Sequence, residues 1–408
     1  MICRHCTAPL EHTFLDLGSA PPSNAYLSDE TLRSPEVWYP LRLLVCTQCW
    51  LVQTEDHSGQ EALFTDEYAY FSSYSSSWLQ HAQRYVREMT TRFALNAQSN
   101  VAEVAANDGY LLRYVQAAGI PCYGIEPTAS TAQAARKLDI DIVQRFFGVE
   151  LALELAVSAR QVDLAVANNV LAHVPDINDF VAGFTVLLKP TGVATFEFPH
   201  LASLVAQSQF DTVYHEHFSY LSLTSVTTIF AANGLSVFDV QKLPSHGGSL
   251  RVFAQRTDTG GRDVEPAVAE MLKEERNAGM QTLTYYRGFQ VVANRVKNEF
   301  QAFLIDAAFQ GKRVAAYGAA AKGCTLLNYA GVRPDLLSFV ADRNPAKIGK
   351  YLPGSRIPIV DETRLRAWQP DYVVLLPWNL KTELLEQLRD VRDWDGQFVV
   401  AVPNLELL

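Results

Sequence analysis

Between residues 101 and 198, apolar runs of strand length alternate with segments of helical period, and this alternation restricts the fold more than any other feature of the chain. The runs are VAEVAA (101–106), CYGIE (122–126), DIV (141–143), VDLAVAN (162–168) and GVATFEF (192–198). Strands separated by helices at this spacing build parallel βαβ units and a doubly wound sheet. Two further runs, LSVFDVQKL (235–243) and SLRVFAQR (249–256), flank the turn-like PSHGG, so a hairpin ends the sheet with an antiparallel strand. Residues 76–97 have helical periodicity, and 263–310, with Pro266 near its start, read as one or two long helices. A second, smaller alternation follows in KRVAAYGAAAKG, LLSFVAD, YVVLLPW and QFVVAVPN.

The six cysteines are unevenly placed: Cys3, Cys6, Cys46 and Cys49 form two CxxC pairs, while Cys122 and Cys324 stand alone. Two such pairs in a turn-broken segment fit a tetrahedral four-thiolate zinc site. Four thiolates close the coordination shell, so zinc there is structural, a clip with no part in chemistry. His5 is not needed as a ligand.

The 408 residues exceed one ordinary core. The expected architecture is α/β in three domains: a small N-terminal zinc-binding domain (1–60), a central Rossmann-like α/β domain (61–258), a helical linker (259–310) and a C-terminal Rossmann-like α/β domain (311–408). A net charge of −10 without a Lys/Arg cluster disfavours a nucleic-acid partner. With no basic leader and no apolar run of about 20 residues, no membrane partner is expected either, and the reading is a cytoplasmic protein, with a monomer favoured.

A glycine turn after a first strand, opening a helix, is where such sheets receive nucleotides. VAEVAANDGYLL offers Glu103, Asn107, Asp108 and Gly109 there, with one glycine where GxGxxG has three. Less room for a pyrophosphate favours S-adenosylmethionine (SAM) over NAD as cofactor. The second strand ends in Glu126, before Pro127, where a carboxylate can accept from both ribose hydroxyls. Asn168 and Asn169, ending the fourth strand, face the same crevice or cap a helix.

CRHC with CTQC, EVAANDGYLL, GIEPTAS, NNVLAHVPD, YHEHFSYLSL, HGGSLR and YGAAAKG span nearly the whole chain, and together they resemble the sugar C-methyltransferases of the antibiotic-sugar type, the TDP-keto-sugar 3-C-methyltransferases. The resemblance implies a zinc-binding, a SAM-binding and a C-terminal domain, the last helping to hold a nucleotide-linked keto-sugar. It also implies that His217 is catalytic, with Tyr214 and Glu216 beside it and His173 and Tyr68 completing the active site.

Methylating carbon requires a base to remove a C–H proton beside a ketone while a donor stabilises the enolate oxygen. His217 suits the first task, and Tyr214 or His173 the second. Glu216 can orient an imidazole or bind a sugar hydroxyl or amine. The HxH spacing of His215 and His217 also admits a metal reading, because on an extended strand both rings share one side. His246, before two glycines, can reach the cleft or simply occupy a turn. In the C-terminal domain Tyr317 ends a strand and Lys322 sits in the following turn, a reasonable pyrophosphate site, unless that domain is only a wall. The reaction that the resemblance implies is C3-methylation of a dTDP-linked 4-keto-deoxy sugar. The rivals are C5-, O- or N-methylation, a NAD-dependent sugar oxidoreductase, and a non-catalytic SAM-binding protein.

Overall fold

The computed structural model describes residues 1–57 and 71–408, built around three sheets. Strands β1 (His12–Ala20) and β2 (Tyr39–Val45), between the two cysteine knuckles, and β3 (Val52–Thr54), after the second, form an antiparallel ladder.

The central sheet begins with β4 (Val101–Val104), β5 (Cys122–Ile125), β6 (Ile142–Val143), β7 (Val162–Asn168) and β8 (Leu188–Pro199), all parallel. The chain then leaves this sheet. Its next strand, β9 (Ser219–Tyr220), pairs with β3, setting Val52 opposite Tyr220 and Gln53 opposite Ser219. The hairpin of β10 (Leu235–Leu243) and β11 (Ser249–Arg256) returns to the central sheet, antiparallel as the sequence predicts. The order β10-β11-β8-β7-β4-β5-β6 reverses direction between β4 and β7, and such a switch point opens a crevice at the strands' carboxyl ends.

The helix expected over 76–97 ends at Arg92, because Ala94 turns left-handed at φ +51° and the polar stretch beyond offers no further apolar face. In the segment expected to link domains, helices span Pro266–Asn277, Leu283–Tyr286 and Phe289–Phe309, interrupted at Gly279 and Gly288, both at positive φ. The longest buries Phe289, Ala293, Val296, Phe300 and Leu304 at three- and four-residue spacing, in one core with Leu15 of β1 and Ala316 of the C-terminal sheet. These helices are therefore a shared core as well as a connection.

The last sheet has the order β14-β13-β12-β15-β16-β17, from β12 (Val314–Tyr317), β13 (Val340–Ala341), β14 (Ile359–Val360), β15 (Tyr372–Leu375), β16 (Gln397–Val400) and β17 (Glu406–Leu407). All its pairs are parallel except β16 with β17. No described helix is long and apolar enough to cross a membrane.

Candidate active site

The four N-terminal cysteines converge, with all their sulfurs within 4.8 Å of one another and the Cys3–Cys49 and Cys6–Cys46 pairs at 3.5 Å. Tetrahedral Zn–S bonds place sulfurs about 3.8 Å apart, so the residues fit the metal. His5 is turned away, its Nδ1 bonded to the Asn178 side chain at 2.8 Å.

At the central switch point, the loop after β4 takes positive φ at Ala105, Asn107 and Gly109, so two non-glycine residues adopt the tight turn that the sequence marks with a single glycine. A side chain at Gly109 would strike Ile140 and Ala135, which binds that position to glycine. Glu126 ties the loop down: one oxygen accepts from Asn107 N–H at 2.9 Å, the other from Thr128 N–H at 3.0 Å and the Thr128 hydroxyl. The oxygen facing Asn107 retains accepting capacity for a ribose hydroxyl. Pro127 follows, half-buried. Glu103 is fully buried, and among the described residues its oxygens find no partner at ordinary hydrogen-bond geometry; the same holds for both polar atoms of Asn168, Asp108 Oδ1 and Asn169 Oδ1. The Tyr110 hydroxyl lies beside both Glu103 and Asn168, near enough to interact with each. Burial raises the Glu103 pKa well above the carboxylate range. A buried ring of unmet acceptors and donors at the switch point fits a polar nucleoside with an ammonium group, as in SAM.

Two histidine segments meet beside this crevice. His173 ends the 3-10 turn Leu171–His173 after β7, and His217 closes the turn leading into β9. Their ring centroids are 4.6 Å apart. His217 Nδ1–H donates to the Thr212 carbonyl at 3.0 Å, and its Nε2 accepts from the Tyr214 hydroxyl at 2.8 Å. His173 Nδ1–H donates to the Glu216 carbonyl at 2.9 Å. Burial lowers the His173 pKa to about 4; it pushes His217 well below the usual imidazole range, and the neighbouring His173 adds to this. Glu216 is buried, with Oε1 accepting from Asn24 Nδ2 at 3.1 Å and Oε2 without a partner among the described residues; burial raises its pKa. The shared-side metal reading of His215 and His217 is corrected: the segment is a turn, and His215 Nε2 faces the Pro40 carbonyl at 3.2 Å. Tyr68 lies outside the described residues.

Around this cluster stand groups that the sequence alone does not bring together. Asn169 Nδ2 donates to His246 Nε2 at 3.1 Å, with His246 itself at φ +53° and packed on Trp78. Burial lowers the His246 pKa to about 4. Glu197 braces that loop from below, accepting from Ser245 at 2.7 Å and Arg251 at 3.0 Å and meeting His81 Nε2 at 2.9 Å. Although burial alone would raise it, His81 and Arg251 hold the Glu197 pKa at about 2. From the C-terminal sheet, Trp378 Nε1 donates to buried Asp211 at 2.7 Å, and Lys322 lies over the Trp378 ring with Nζ on Asn379 at 2.7 Å. Burial raises Asp211 to about 6 against the opposing pull of Lys322. Tyr317 does not join Lys322: its hydroxyl bonds to Glu362 and Gln387 instead.

A nucleoside-type crevice opening beside a buried imidazole pair is the layout of a SAM-dependent methyltransferase. A methyltransferase-domain family model matches residues 78–240, a model described as a C-methyltransferase C-terminal domain matches 244–403, and a zinc-binding-domain model matches 3–64. C-methyltransferase NovU of Streptomyces niveus is 35% identical over 402 residues, covering 98% of this chain and 95% of that protein. The chain belongs to this family of SAM-dependent C-methyltransferases, with a zinc-binding N-terminal domain. Carbon as the methylated atom sets aside the oxidoreductase, the non-catalytic reading and O- or N-methylation. Remoter likenesses include a Burkholderia thailandensis 1,6-didemethyltoxoflavin N1-methyltransferase (17% identity, TM-score 0.38, 51% of this chain and 96% of that one). Another is the magnesium protoporphyrin IX methyltransferase of Synechocystis PCC 6803 (12%, TM-score 0.36, 50% and 100%). Scores this low carry no weight for function.

Proposed function

We propose that the protein methylates C3 of a dTDP-linked 4-keto-deoxy sugar, with His217 as the general base. The observation that carries this reading is the state of His217: buried, neutral, and fixed by the Thr212 carbonyl in the tautomer whose lone pair is on Nε2. A neutral imidazole in one tautomer is ready to take a proton from the carbon beside a ketone. The Tyr214 hydroxyl, now donating to that nitrogen, can swing to the 4-keto oxygen, freeing the lone pair and stabilising the enolate in one movement. His173, its Nδ1–H occupied by the Glu216 carbonyl, is a second group facing the same space.

Bound SAM supplies the electrophilic methyl group. Glu126 is assigned to the ribose hydroxyls, Glu103 and Asn168 to the polar part of the methionine moiety, and the loop Asn107–Gly109, Pro127 and Asn169 to the walls of the crevice. Lys322 is assigned to the pyrophosphate of the sugar nucleotide, with the Asp211–Trp378 bond holding the C-terminal sheet against the histidine segments. His246 completes the sugar pocket in this reading; Tyr317, already bonded elsewhere, takes no part. Methylation at C5 of the same substrate class follows the same chemistry on the other side of the pyranose ring.

The test is product analysis: SAM carrying a 13C-methyl label is incubated with the enzyme and a dTDP-linked 4-keto-6-deoxyhexose. The expected product carries the labelled methyl on C3, coupled to a carbon neighbour in the NMR spectrum. A label on C5 would move the position, and absence of transfer to any keto-sugar carbon would overturn the substrate class.

A further inference from the structure

We propose that Arg4, the residue between zinc ligands Cys3 and Cys6, is a positioning residue for the His173–His217 pair, and that the zinc-binding domain is the mount on which these two imidazoles are aligned. This rests on the reading of His217 as base.

The argument begins with where the arginine goes. Its backbone N–H is fixed by Gln53 Oε1 at 2.9 Å, and Gln53 Nε2 in turn donates to the sulfur of Cys3 at 3.3 Å, so the knuckle and β3 are locked together. The Arg4 side chain is only 4% exposed. Nη1 donates to the Pro175 carbonyl at 2.8 Å, two residues beyond His173. Nη2 donates to the Thr54 carbonyl at 3.2 Å and to Asp56 at 2.7 Å, and the guanidinium lies 5.3 Å from the ring centroid of Phe218, next to His217. One planar fork therefore touches the chain after each catalytic histidine, a task that its fixed geometry suits and a lysine's single ammonium does not.

The backbone makes the same connection. Phe218 O accepts from Thr54 N–H at 3.1 Å, and the Thr54 hydroxyl reaches the His217 carbonyl at 3.3 Å. The β3–β9 pairing then continues over the next two residues. Cys46 and Cys49 lie just upstream of β3, so the zinc ligands hold the strand against which the His217 turn is registered. Misplacement of a base by a fraction of an ångström lowers the rate while leaving the residues assigned to the cofactor, none of which Arg4 touches, in place.

The experiment compares Arg4→Met and Arg4→Lys with the wild-type, zinc-loaded full chain by zinc content, SAM affinity, kcat and KM, and 15N-imidazole NMR of the histidines. The expected result is one zinc per chain and unchanged SAM affinity, with kcat lowered roughly 10- to 100-fold in Arg4→Met and partly restored in Arg4→Lys. The His173 and His217 Nδ1–H signals should shift and exchange faster with solvent in Arg4→Met. Signals and kcat both within twofold of wild type would overturn the proposal, as would a rate loss that tracks lost zinc or lost SAM affinity. The imidazole spectra need no turnover, so they report on Arg4 even if the reaction proves to use another base; that second outcome would show as retained activity in His217→Asn.

Discussion

His217 Nε2 accepts the Tyr214 hydroxyl at 2.8 Å. This bond identifies the nitrogen that is free to act as a base, because the other ring nitrogen is spent on the Thr212 carbonyl. It also gives the pH dependence a sign. Burial and His173 keep the His217 pKa well below the ordinary 6.5, so the base is already unprotonated at neutral pH and is lost only as pH falls through that depressed value. A profile of kcat/KM should be flat from pH 6.5 to 8, with its acid limb lying below 6.5. A limb at 6.5 or above would contradict the buried, neutral imidazole.

Tyr214→Phe keeps the ring against His217 and removes only the donor. The expected outcome is a fall in kcat of roughly 10²- to 10³-fold, the usual worth of one oxyanion donor, with SAM affinity unchanged by calorimetry.

Glu126→Ala removes the acceptor for Asn107 N–H and Thr128 N–H as well as the proposed ribose contact. SAM binding should weaken by about 1–3 kcal/mol, and the melting temperature should fall even without cofactor. Unchanged SAM affinity would remove the ribose assignment.

His173 and His246 should make the fold sensitive to acid. His173 and His246 have pKa values of about 4, lowered by burial, but titrate near 6.5 when unfolded. The unfolded chain therefore binds more protons between those values, and stability that is full above 6.5 is lost as pH falls toward 4. Asp211, raised to about 6 from 3.8, works in the opposite sense, its contribution present below 3.8 and lost as pH rises to 6. The contribution of the two histidines is checked by urea denaturation: the loss of stability between pH 6.5 and 5 should be smaller by roughly 1–3 kcal/mol in a His173→Phe/His246→Phe variant than in the wild type.

The parallel strands and the β10–β11 hairpin were legible because each carries its own periodicity and turn residues. β9 was not: two residues pair with a partner more than 160 positions away, and so short a strand has no pattern of its own. For the same reason His215 reads as a neighbour of His217 in an HxH spacing, whereas the turn between them sends it to Pro40. Glu103 and Glu126 could be placed by their distance from strand ends, but Asp211 and Trp378 could not, since only packing between distant segments joins them beside the histidine cluster. Nothing local in VAAYG shows that Tyr317 is engaged by Glu362 and Gln387.

The most direct test of His217 as an enolate-forming base is proton exchange at C3 and C5 of a dTDP-linked 4-keto-6-deoxy sugar. The sugar is followed by NMR in deuterated water with enzyme and S-adenosylhomocysteine, which permits deprotonation but no methyl transfer. The account predicts enzyme-dependent exchange at C3 that disappears in His217→Asn while cofactor affinity stays the same. Exchange that persists at the wild-type rate in His217→Asn would contradict it.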